Sequence, residues 1–146
     1  MGTDFVAGSM TLCAPIGVVY DYVIDFDRIP EWVAGVSGSR CDATTPDGLV
    51  VQISVGALTH SVSLVIRSRE QNRLLTLVSV ERYEAEVVIG FEPAGADKCI
   101  VTTTVRYPIE DGIAYRPLNK AGKLLATKML ERTGKNLERR ISERIG

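Results

Sequence analysis

At 146 residues, 45% hydrophobic and 24% charged, the sequence has the make-up of one ordinary soluble domain with a substantial core. A formal net charge of −1 argues against general nucleic-acid binding, which needs a broad basic surface. Three cysteines (Cys13, Cys41, Cys99), far apart and without a CxxC pair, argue against a disulfide framework or a zinc site and fit a reducing cytoplasm.

The first ten residues, MGTDFVAGSM, lack the basic start and apolar core of a signal peptide, and no run approaches ~18 apolar residues. A cytoplasmic protein without stable membrane insertion is expected. Residues 3–13 read as a strand, with Val6, Met10 and Leu12 in phase. Pro15 suits the first turn of a helix, where its missing N–H costs nothing. Ile16, Val19, Tyr20 and Val23 share one stripe, which predicts a short amphipathic helix over 15–24.

The stretch YDYVIDFDRIPEW (20–32) sets Tyr20, Tyr22, Phe26 and Trp32 among Asp21, Asp25, Asp27 and Glu31. Carboxylates beside rings suit an active site, and they suit two small helices joined by capping residues equally well. The second reading is preferred. Asp25 caps a helix near 26–34 that Pro30 shortens or kinks, and Asp21, Asp27 and Glu31 are solvated. Tyr20, Phe26 and Trp32 then dock the helices across the mouth of a sheet, with Trp32 a candidate for the entrance of any pocket.

Turn residues at Gly35, Gly38, Pro46-Asp47-Gly48, Gln71-Asn72 and 93–97 divide the middle into strands near 36–44, 48–58, 60–70, 73–81, 84–92 and 98–107. Phase identifies inner faces: Val51, Ile53, Val55 and Ala57; then Val62, Leu64 and Ile66; then Val87, Ile89 and Phe91; then Val101, Val105 and Tyr107. Glu84, Glu86, Glu92, Thr102, Thr104 and Arg106 fall on the opposite face, while Glu81 and Tyr83 sit at a strand junction without clear phase. One wet face and one dry face indicate an antiparallel sheet that something covers. Gly56, inside a strand, marks a bend.

The cover is the C-terminal segment. Ile113, Pro117, Ala121, Leu125, Met129, Leu137, Ile141 and Ile145 recur at i+4, with Thr133 the one polar member and Leu118 and Leu130 beside them. A helix of ~30 residues is ~45 Å long, enough to cross a whole curved sheet. Gly122 and Gly134 cost about 1 kcal/mol each relative to Ala, for which close approach of another backbone would account. Residues 111–146 hold nine Lys/Arg against four Asp/Glu. Lys120, Lys123 and Lys128 belong either to a solvated helix face or to a surface for an anionic partner or a membrane surface. The order is strand, two short helices, six strands, long helix: an α+β domain over 1–146, a curved seven-stranded antiparallel sheet wrapped around its last helix.

This order, with APIGVVYDYVIDFDRIPEWVAGV at 14–36, GFEPAGADKCIVTTTVRYPI at 90–109 and LERTGKNLERRI at 130–141, resembles the helix-grip superfamily of START domains, birch-pollen-allergen-like proteins and polyketide cyclase/dehydrase-like (SRPBCC) proteins. The resemblance covers essentially the whole chain. It is specific for fold and poor for function, since fold-level likeness does not locate chemistry. It implies a cavity between sheet and long helix. Candidate walls are Val51, Ile53 and Val55 with Leu64 and Ile66 from two strands, then Val87, Ile89 and Phe91 from a third. Val101, Thr103 and Val105 come from the last strand, and Leu118, Leu125 and Met129 from the helix. These side chains either line a pocket or meet as a core.

Acid–base candidates are few. His60, the only histidine, is either at a pocket rim or in a turn, and Tyr107 offers a hydroxyl to a ligand or to a structural partner. Thr103 is the remaining inward polar group. Gly35–Gly38 is too short for a phosphate loop, no metal cluster or activated nucleophile is recognisable, and no cofactor is expected. The favoured reading is a binder of a small hydrophobic or aromatic molecule (a polyketide, lipid or isoprenoid), as monomer or homodimer. A cyclase, aromatase or dehydratase using His60 and Tyr107 is the alternative, and an interaction protein using the basic helix face is a third.

Overall fold

A computed structural model of the chain describes residues 2–80 and 85–145, and of Val55 the backbone alone. Glu81, Tyr83 and Glu84 lie outside the described residues. The order is β1 (Gly2–Leu12), α1 (Ile16–Val23), a 3-10 turn at Phe26–Arg28, α2 (Ile29–Trp32), β2 (Val36–Cys41), β3 (Gly48–Val55) and β4 (Leu58–Glu70). Then come β5 (Leu74–Ser79), β6 (Glu86–Pro93), β7 (Cys99–Ile109), a second 3-10 turn at Ile113–Tyr115 and α3 (Arg116–Ile145). All pairings are antiparallel, in the order β1-β7-β6-β5-β4-β3-β2. The expected order of elements and the helix-grip architecture are observed.

Several local expectations are corrected. The segment 26–34 is not one helix. A 3-10 turn comes first and α2 starts at Ile29, so Pro30 falls in its first turn, where no donor is lost. Asp25 precedes the 3-10 turn without capping it; its carboxylate takes Arg28 Nε at 2.9 Å instead. β2 stops at Cys41 because Asp42 Oδ1 accepts the N–H and hydroxyl of Thr44 at 2.9 and 2.6 Å, folding the chain into a local turn. Gly56 is no bend within a strand. It opens the two-residue Gly56-Ala57 connection of the β3–β4 hairpin, where Val55 pairs with Leu58 and a φ of +61° is required.

The dense core lies where α1 and α2 cap the sheet. Leu12, Ala14, Val19 and Cys99 are fully buried, and Tyr20 meets Phe91 edge-on at 5.3 Å and 75°. The second half of α3 joins this core through Leu137 and Ile141 and locks onto α2. Thr133 Oγ1 accepts the N–H of Ala34, Asn136 Nδ2 donates to the carbonyl of Trp32, and Arg140 Nε donates to that of Glu31.

The first half of α3 does not cross the sheet as expected. It follows β1, where Lys123 Nζ pairs with Asp4 at 3.1 Å and sits over the Phe5 ring, while Asn119 Nδ2 donates to the carbonyl of Glu110, just past β7, at 2.7 Å. Leu118 and Leu125 are therefore 67% and 51% exposed, and Ile113 is 77% exposed. The chain exposes 9007 Å², against about 7,400 Å² for a compact protein of 15.9 kDa. Neither glycine of α3 meets a neighbouring backbone: Gly134 packs on the Met10 side chain, and nothing approaches Gly122. Among the described residues, no helix is long and apolar enough to cross a membrane.

Candidate functional site

Alternation along the strands turns every second side chain toward α3, and the short helices close one end. Between them lies a chamber of about 320 Å³. Its sheet side is built by Val51 and Ile53 of β3, Leu64 of β4, Leu75 and Leu77 of β5, Val87 and Ile89 of β6, and Thr103 and Val105 of β7. Val23, Phe26, Ile29 and Trp32 form the capped end, and Ala126, Met129, Leu130 and Thr133 of α3 form the lid. Met129 lies directly on Gly35, whose φ is +85° and where a Cβ would overlap Met129 Cε. The volume is at the lower end of the range for small-molecule sites, and the lining is apolar with few polar groups, as such sites are.

A second space of about 340 Å³ adjoins it between β1 and α3. Ser9, Met10, Val101, Thr127, Glu131 and Lys135 contribute to its more polar walls. Trp32, Thr103, Leu130 and Thr133 line both spaces and form the partition between them.

Of the residues expected at the wall, Trp32, Val51, Ile53, Leu64, Val87, Ile89, Thr103, Val105 and Met129 are brought together around the chamber. Val101 faces the adjoining space. Phe91 is buried against Tyr20, and Ile66 packs on the core beside a register shift in β4, so neither reaches the chamber. The side chain of Val55 is outside the described residues. Leu118 and Leu125 belong to the part of α3 that follows β1, and are exposed rather than turned over the chamber. Sequence reasoning missed Leu75 and Leu77, although their i, i+2 spacing marked an inner face, and missed Val6, Ala126, Leu130 and Thr133.

The two acid–base candidates stand apart. His60 pairs with Ile53 near the tip of the β3–β4 hairpin, where residues 56–61 are all exposed because the strands run out past the helices. Its inner phase therefore faces solvent. Tyr107 pairs with Asp4 and lines neither space; its hydroxyl is buried without a hydrogen bond among the described residues. Burial, and then the nearby Asp4 carboxylate, hold its pKa above the ordinary tyrosine value, partly offset by Lys123. No ionisable side chain lines the chamber among the described residues. The residues of its lining that carry a polar side-chain atom are Thr103, Thr133 and Trp32, whose Nε1 is buried. Among the described residues, no three His, Cys, Asp or Glu side chains are grouped to hold a metal ion.

Residues 12–133 match the family described as polyketide cyclase/dehydrase and lipid transport. The chain belongs to that family. Solved structures place this polyketide cyclase/dehydrase family member among START-type folds. A START superfamily protein of Mycobacterium smegmatis superposes with a TM-score of 0.77 at 17% identity, over 97% of this chain and 99% of that one. A protein of Thermus thermophilus gives 0.79 at 17% identity, over 98% and 100%. The ZhuI aromatase/cyclase of a Streptomyces species gives 0.74 at 12% identity, over 99% and 97%. At these identities the likeness is one of fold. No curated protein sequence matches the chain.

Proposed function

We propose that residues 1–146 act as one START-like domain that binds a small hydrophobic or aromatic molecule, of polyketide, lipid or isoprenoid type, in the chamber under α3. The observation carrying this reading is the composition of the wall: apolar side chains from all seven strands and both kinds of helix, with no ionisable group among the described residues. Such a surface binds by excluding water, gaining about 25 cal/mol for each Å² of apolar ligand buried. A cyclase or dehydratase needs at least one acid or base at the substrate, and His60 and Tyr107 both stand away from this wall. Binding is therefore preferred over catalysis.

Native mass spectrometry of the purified protein, with thermal shifts across a panel of lipids, polyketides and isoprenoids, tests the reading. A retained or stabilising apolar ligand is expected, lost in Val87→Trp, which fills the chamber. Absence of both a retained ligand and any shift would overturn it.

A further inference from the structure

The chamber's polar groups collect at its partition with the adjoining space, where Trp32, Thr103 and Thr133 line both sides. Trp32 is 7% exposed, and its Nε1 is sealed from water without an acceptor among the described residues. An indole nitrogen can only donate, and a buried donor left unpaired is a standing penalty. The backbone around it is already committed. Asn136 Nδ2 donates to the Trp32 carbonyl at 3.2 Å, and Ala34 N–H donates to Thr133 Oγ1 at 2.9 Å. That second bond uses the Thr133 oxygen as acceptor, so its own hydroxyl proton is free to be given away. The partition thus offers donors, in a wall without ionisable groups, where an unpaired ligand charge would be buried at high cost.

We propose that Trp32 Nε1 is the recognition donor of the cavity, giving its proton to the carbonyl oxygen of a neutral ligand. Thr133 supplies the second donor and Thr103 a hydroxyl that gives or accepts. A carbonyl oxygen satisfies two donors and brings no proton that needs an acceptor, whereas a hydroxyl brings one. The ligand's apolar body fills the chamber, and its remainder passes the partition toward Glu131 and Lys135, the ionisable groups of the second space. This rests on the binding reading above and adds the ligand's functional group and where it sits.

Trp32 is the only tryptophan of the chain, so its indole gives a single side-chain resonance in a proton–nitrogen correlation spectrum. The test titrates the protein with butyrophenone and with butylbenzene, a pair alike in shape and differing in the carbonyl. Both are expected to bind, the ketone about fivefold to tenfold more tightly, the worth of one hydrogen bond to a buried donor. Only the ketone is expected to move the indole proton strongly downfield. Trp32→Phe is expected to remove most of the ketone's advantage over the hydrocarbon, the remainder being the share of Thr133. Equal affinities in the unsubstituted protein, with no distinct indole shift for the ketone, would overturn the donor role and leave the binding reading standing. Failure of both probes to bind would overturn the binding reading, and this inference with it. The wild-type spectra decide the matter even if the variant does not fold.

Discussion

The backbone N–H of Ala34 donates to Thr133 Oγ1 at 2.9 Å, joining residues 99 positions apart. The bond ties the end of α2 to the middle of α3, and Asn136 and Arg140 reinforce it by donating to carbonyls that a helix end leaves without partners. Thr133→Val keeps the shape and removes the acceptor, stranding a partly buried N–H. Stability is expected to fall by about 1–3 kcal/mol, lowering Tm by roughly 3–10 °C, with Thr133→Ser recovering most of it. Circular dichroism melts check this; equal melting of the Val variant and the unsubstituted protein would remove the bond's structural role.

The two halves of α3 differ in what substitution costs. Leu137→Ala or Ile141→Ala opens space in the dense core and is expected to cost about 2–5 kcal/mol. Leu118→Ser or Leu125→Ser is expected to stay within about 0.5 kcal/mol, because both side chains already face solvent. Urea unfolding of the four variants measures the contrast. A loss above about 1 kcal/mol at Leu118 or Leu125 would mean that something covers this face in solution.

Tyr22 sets a limit on alkaline stability. Burial, and then its 3.1 Å hydrogen bond to Glu31, push its pKa up to about 12. Below its ordinary value near 10 the phenol is neutral in both folded and unfolded chains. As pH rises past that value the unfolded chain ionises first and binds fewer protons, so stability falls until about pH 12. The loss is at most about 2–3 kcal/mol. Melts of the unsubstituted protein and of Tyr22→Phe, from below the ordinary value near 10 up to about 12, are expected to converge as pH rises; parallel pH profiles would discount Tyr22.

Gly35 combines a left-handed backbone with contact from Met129. Gly35→Ala meets both, and a loss of about 1–3 kcal/mol is expected. Adding Met129→Ala relieves the overlap without changing φ. A double-mutant cycle from chemical denaturation therefore separates the two terms, and strict additivity would rule out the contact.

The sheet was legible because alternation is a local property. Val51 and Ile53, or Val87 and Ile89, declare an inner face with no knowledge of what covers it. The path of α3 was not legible. The i+4 series from Ile113 to Ile145 is apolar at every position but Thr133, yet it is buried only at Leu137 and Ile141. Which stretch covers the sheet depends on long-range anchors, Lys123 on Asp4 and Thr133 on Ala34. Neither of these is written in the helix period. Thr133, the one break in the apolar series, carried the site's strongest clue, since a polar group on a buried face requires a partner. His60 shows the converse: its phase was inward, but phase says nothing about how far a hairpin reaches past its cover.

The pairing of β1 with β7, from Gly2 opposite Ile109 to Leu12 opposite Cys99, bears on how the protein forms during synthesis. β2 to β7 make a meander in which each strand pairs with its sequence neighbour, so those hairpins can close soon after they leave the ribosome. The first strand made must wait for nearly the whole meander before its partner exists. Until then Val6, Met10 and Leu12 are exposed on a strand with nothing to pair with, and the loop to be closed is among the longest in the chain. Folding during synthesis is therefore expected to run from the middle of the chain outward, with the docking of β1 onto β7 as its last strand pairing.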